Sequence, residues 1–66
     1  MMISIEDQIK AAERELAMRR RVYPRRVDDG KMTPEKSVHE IAAMEAIIET
    51  LKGLAPALTK QPGLDL

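Results

Sequence analysis

His39 lies four residues after Glu35 and directly before Glu40, the one grouping in this 66-residue chain whose residue types could hold a metal or move a proton. An imidazole and a carboxylate four apart on a helix share a face and can pair. Catalysis or tight metal binding asks for more: further nitrogen or sulfur ligands, or a reactive group held where water is excluded. The chain has no cysteine and a single histidine, and it carries no glycine-rich phosphate loop, nucleophile elbow or zinc pattern. Glu35, His39 and Glu40 therefore read as a solvated helix surface. The chain reads as no enzyme, with no catalytic residue, no metal and no cofactor.

The second chemical feature is a run of cations, Arg19, Arg20, Arg21, Arg25 and Arg26, with Lys31 just beyond. Formal net charge is zero, so no global field draws the protein to nucleic acid or membrane, but charge is segregated along the chain. On a continuous helix Lys10, Arg14, Arg21 and Arg25 form a ridge that could meet phosphates or an acidic protein groove. Arg19 and Arg20 flank the apolar stripe of the same helix, where they can pair with Glu40, Glu45 or Glu49 of a second helix. The plainer reading of the cluster is a solvated face, since each exposed pair contributes little.

Three apolar residues near these cations have two readings each. Tyr23 is either a contact anchor of the kind that concentrates at interfaces or core filler whose hydroxyl reaches water, and the second is preferred. Met18 and Val22 point away from the stripe, near Ala11, and leave a small apolar patch on a face that should be wet. Met18, Arg21, Val22, Tyr23 and Arg25 are thus the candidate partner-binding residues.

The elements that position these groups follow from periodicity and caps. Ser4 precedes an apolar pattern, with Asp7 three residues later as a weak capping box. At about 100° per residue, Ile5, Ile9, Ala12, Leu16, Tyr23 and Val27 fall in one stripe roughly 60° wide. Pro24 either kinks this helix, which then runs to about residue 29 with Gly30 as a left-handed terminator, or stops it near Val22. The kink is preferred because Val27 stays in phase with Tyr23.

Thr33-Pro34-Glu35 is the strongest local signal: a capping hydroxyl, a proline suited to the first helical position, and an acid for the helix dipole. The second helix is expected over about 34–53. It carries Val38 and then Ile41, Met44, Ile47, Ile48 and Leu51, and ends at Gly53 with Leu54 folded back on Ile48. Residues 1–54 make the hairpin. Residues 55–66, interrupted by Pro56, Pro62 and Gly63, read as a tail in which Leu58, Leu64 and Leu66 could dock.

Size then decides what the hairpin needs. A chain this short has a thin core, and with neither disulfide nor metal available, oligomerisation is the remaining way to bury more apolar surface. The face made by Ile41, Met44, Ile47, Ile48, Leu51 and Leu54 is wider than one helix can cover. The expected fold is all-α: an antiparallel helical hairpin that dimerises into a coiled-coil-like four-helix bundle. No uncharged run is long enough to span a bilayer, and no signal-peptide pattern follows Met1. A cytoplasmic protein without membrane contact is expected.

The stretch from Glu15 to Ile48 resembles a group of short, mostly uncharacterised proteins encoded by phages and prophages. The residues that carry the likeness are Met18-Arg19-Arg20, Val22-Tyr23-Pro24, Gly30-Lys31-Met32, and Glu40-Ile41 followed by Met44, Ala46 and Ile47. Arg26 departs from it, because that group often has tryptophan there. The resemblance implies an accessory protein acting in the cytoplasm of a bacterial host. Together the readings point to a non-enzymatic protein-binding homodimer that attaches to a host or phage protein, with inhibition of a host protein as one expected role. The alternative is a nucleic-acid-associated factor using Lys10, Arg14, Arg21 and Arg25.

Overall fold

Local chemistry opens the first helix where the sequence places it. Ser4 has extended backbone angles (φ −65°, ψ 157°), and its hydroxyl accepts a 3.0 Å hydrogen bond from the Asp7 N–H. Glu6 and Asp7 put negative charge in the first turn, and Arg25 and Arg26 put positive charge in the last, both favourable to the helix dipole. The computed structural model describes residues 1–59, which form α1 (Ile5–Asp28) and α2 (Pro34–Thr59). Pro24 lies inside α1, so the first helix runs past it as the phase of Val27 requires.

Gly30 stops α1. Its φ of 72° lies in the left-handed region that side chains avoid. The Lys31 N–H reaches back to the Arg26 carbonyl at 2.8 Å and the Gly30 N–H to the Val27 carbonyl at 3.0 Å, the paired bonds of a Schellman ending. Thr33 then caps α2: its hydroxyl accepts from the Lys36 N–H at 3.1 Å and its carbonyl from the Ser37 N–H at 3.0 Å. Two helices with so short a connection must lie antiparallel, and they pack along their length.

The end of α2 differs from the sequence expectation. The helix does not stop at Gly53 but continues through Pro56 to Thr59, and Gly53 has no positive φ, so no Schellman ending with Leu54 on Ile48 forms there. The reason is tertiary. Ile48, Leu51 and Ala55, three and then four residues apart, keep one face of α2 toward α1, and in an antiparallel pair the residues level with the first turn of α1 lie beyond residue 53. Gly53 is tolerated within the helix at a propensity cost of about 1 kcal/mol relative to Ala. Residues 55–59, expected in the tail, thus belong to α2, and the expected docking of Leu58, Leu64 and Leu66 lies outside the described side chains.

The core is thin. Ala12, Met44 and Ile48 are its buried hydrophobic members, with Leu16 and Leu51 packed half-buried against them. Among the described residues no large side chain is fully buried. The two seams share one spacing rule. On α1 it runs Ile5, Ile9, Ala12, Leu16, Arg19, Tyr23; on α2 it runs Ser37, Ile41, Met44, Ile48, Leu51, Ala55. Alternating steps of four and three keep each series on the face toward the partner helix.

Ser37 is a correction to the sequence reading. It is buried at 6% exposure, while Val38, counted there with the inward face, is 68% exposed. Stepping back four residues from Ile41 gives 37, not 38, so the spacing held the answer and hydrophobicity misdirected it.

Candidate functional site

Two antiparallel helices packed by one seam leave two broad sides, and the side chains flanking the seam define them. On the first side, Arg20 Nη2 donates to Glu45 Oε2, and Lys52 Nζ lies 3.2 Å from Glu13 Oε2. These interhelical pairs frame an open groove floored by Leu16, Ala17 and Ile48. All four charged side chains are about half exposed, so the pairs set register more than they add stability.

On the second side Arg19 takes the seam position between Leu16 and Tyr23. Its Nε donates to Glu15 Oε2 at 2.9 Å and its Nη1 to the Glu40 backbone carbonyl at 2.7 Å, with Glu40 Oε1 at 3.7 Å. Its guanidinium carbon also lies 5.8 Å from the centre of the Tyr23 ring, within cation–π range. The hydrogen bond with Glu15 holds the Arg19 pKa above its ordinary value against the opposing effect of desolvation. The Arg19 side chain as a whole is 19% exposed, and its head group is well supplied with acceptors. Tyr23, half-buried, follows Arg19 in the seam series of α1.

Further from the connection, the same second side carries Ile47 and Leu54, one heptad apart on α2 and 48% and 47% exposed. Their positions lie toward the Glu15 and Glu40 flank, not the Arg20 and Glu45 flank, by the 100° rotation per residue. Of the six residues read as a self-association face, Met44 and Ile48 are spent inside the hairpin, Ile41 and Leu51 are half-buried, and Ile47 and Leu54 stay open.

Of the candidate partner-binding residues, Met18, Arg21, Val22 and Arg25 lie on one arc of α1 with mixed exposure, while Tyr23 lies in the seam beside Arg19. Arg21 and Arg25 are exposed, whereas Met18 and Val22 are half-buried, less open than a wet surface patch would be. The ridge of Lys10, Arg14, Arg21 and Arg25 lies on the outer face of α1, exposed, and none of the four joins an ion pair among the described residues.

His39 pairs with Glu40, Nδ1 to Oε2 at 3.5 Å, and not with Glu35, on a side chain that is 79% exposed. Among the described residues no three His, Cys, Asp or Glu side chains are grouped to hold a metal, and no helix is long and apolar enough to cross a membrane. Sequence reasoning placed Arg19 beside the stripe and found its partner Glu40, but it missed that Arg19 occupies the stripe. The signal was the gap in the apolar series between Leu16 and Tyr23, which the 4-3 spacing fills at residue 19.

The fold is thus an all-α two-helix hairpin whose accessible features are surfaces. No protein-family model, curated protein or solved structure matches the chain.

Proposed function

We propose that this chain is a non-enzymatic interaction module: a helical hairpin that pairs with a second copy of itself through the Ile47 and Leu54 flank of α2, forming a four-helix bundle. The observation that carries the reading is the pairing of an underfilled core with these two open aliphatic side chains, continuous with the seam. A hairpin of this size seldom supplies more than about 3–5 kcal/mol from its own core, and a second copy is the economical source of the missing cover. A two-fold contact also places the same surface on both chains, so a single apolar strip serves twice. The resemblance to short phage and prophage proteins supports a further step, in which the dimer attaches to a host or phage protein in the bacterial cell and blocks it.

Sedimentation over a range of protein concentrations tests the self-pairing. The wild-type chain is expected to shift from monomer to dimer with concentration, while Ile47→Glu with Leu54→Glu stays monomeric and helical. A wild-type chain that is monomeric throughout and still unfolds cooperatively would falsify the proposal.

A further inference from the structure

The outer face of α1 suggests a second use, independent of self-pairing. Lys10, Arg14, Arg21 and Arg25 are separated by four, seven and four residues, so at 1.5 Å per residue they mark a line about 22 Å long with intervals of about 6, 10 and 6 Å. All four are exposed, and none is neutralised by an ion pair among the described residues, in contrast to Arg19 and Arg20, which are. Between the first and last cation the ridge itself contains no acidic residue; its nearest neighbours in rotation are Ala17 and Met18, and Asp7 and Asp28 continue the line beyond its two ends. The formal net charge of zero makes this a local and directional field.

We infer that this ridge is a docking surface for the phosphate backbone of duplex nucleic acid. A duplex carries one charge per about 3.4 Å of helix axis on each strand, along backbones that wind round that axis, so a line of about 22 Å comes within reach of several phosphates at once. Three of the four cations are arginines, whose planar fork suits phosphate oxygens. A protein partner would ordinarily ask for an exposed aromatic or large apolar anchor, and the apolar side chains beside the ridge, Met18 and Val22, are half-buried. Single strands are gripped by stacking on aromatic side chains, and the chain's one aromatic, Tyr23, lies in the seam beside Arg19. Contacts of this kind position a protein on a duplex without reading its sequence. The ridge lies on α1, away from Ile47 and Leu54 on α2, so a dimer formed through α2 keeps both copies exposed.

The test is anisotropy of a fluorescein-labelled DNA duplex of arbitrary sequence titrated with the full chain at several salt concentrations. Binding is expected at low salt, with the affinity falling by a log–log slope of about −3.6 if one ridge makes four phosphate contacts. Arg14→Gln with Arg21→Gln and Arg25→Gln should weaken binding at least about tenfold and flatten the slope by about 2.7. Removing the same charge elsewhere, with Lys31→Gln, Lys36→Gln and Lys52→Gln, should leave slope and affinity close to wild type. The substituted ridge residues are exposed, and circular dichroism of each variant confirms that helix content is kept. Absence of duplex binding at low salt overturns the inference. So does an equal loss in both triple variants, which would reduce the effect to net charge. Tighter binding to polyglutamate than to the duplex assigns the ridge to an acidic protein instead and also overturns it.

Discussion

The two broad sides of the hairpin are built from the same two helices and teach opposite lessons. On one, Glu13 with Lys52 and Arg20 with Glu45 bridge the helices through half-exposed charges that water would satisfy equally well. That side is bridged by charge between these pairs, and the exposed Val38 on the same flank lies apart from them, near the connection. On the other, Arg19 bridges Glu15 and Glu40 near the connection, but beyond it Ile47 and Leu54 face outward without cover. Charge on a surface needs no partner, whereas aliphatic surface continuous with a core gains from one. The difference lies in solvation: water competes for an ammonium or a carboxylate and does not compete for a methyl group.

The largest effect that separates the sides is on self-association. Each aliphatic side chain taken from exposed to buried is worth about 1.5–3 kcal/mol, so replacing both Ile47 and Leu54 by Glu in each chain of a dimer should raise its dissociation constant by at least about a hundredfold. Sedimentation equilibrium reads this directly, and an unchanged constant would mean that the open flank is not the contact.

Arg19 sharpens the comparison within the second side. Arg19→Ala is expected to cost about 1–2 kcal/mol in denaturant melts, because Glu15 loses its strong partner and the Glu40 carbonyl a donor. Arg19→Met, which keeps an unbranched stem in the seam, should recover part of that loss. If Met and Ala behave alike, the ion pairs and not the packed stem account for what Arg19 contributes.

The two glycines give a smaller contrast of known sign. An added Cβ meets nothing within 4 Å at either position, so space does not decide the outcome. Gly30→Ala should destabilise by about 1–2 kcal/mol, because φ is 72° there. Gly53→Ala should stabilise by up to about 1 kcal/mol, because the residue is inside a helix. Paired melts of the two variants test whether α2 runs past residue 53 in solution; destabilisation by Gly53→Ala would place the helix end where the sequence first suggested. The smallest effect belongs to the charge-bridged side, where Glu45→Gln should move stability by less than about 1 kcal/mol and leave association untouched.

Much of this fold was legible because it depends on neighbours within four residues. Ser4, the Thr33-Pro34 pair and Gly30 marked helix ends correctly through hydrogen bonds closed inside a single turn. The continuation through Pro24 followed from the phase shared by Tyr23 and Val27. The interaction surfaces were less legible. Val38 and Ile47 look alike in composition to Ile41 and Ile48, and only packing against α1 separates the covered pair from the open one. His39 had a carboxylate four residues before it and another directly after it, and the structure pairs it with the adjacent Glu40.

By itself the amino-acid order determined two amphipathic helices, their bend and the line of unpaired cations along the first, because backbone capping and helical rotation are properties of one segment at a time. The spacing alone offered positions 19 and 37 to the seam; only the packed pair decided that the seam takes Arg19 and Ser37 there in spite of their polarity, and that the second helix outlasts Gly53. Those outcomes depend on which residue of one helix lies level with which residue of the other, and that register comes into being when the two faces meet.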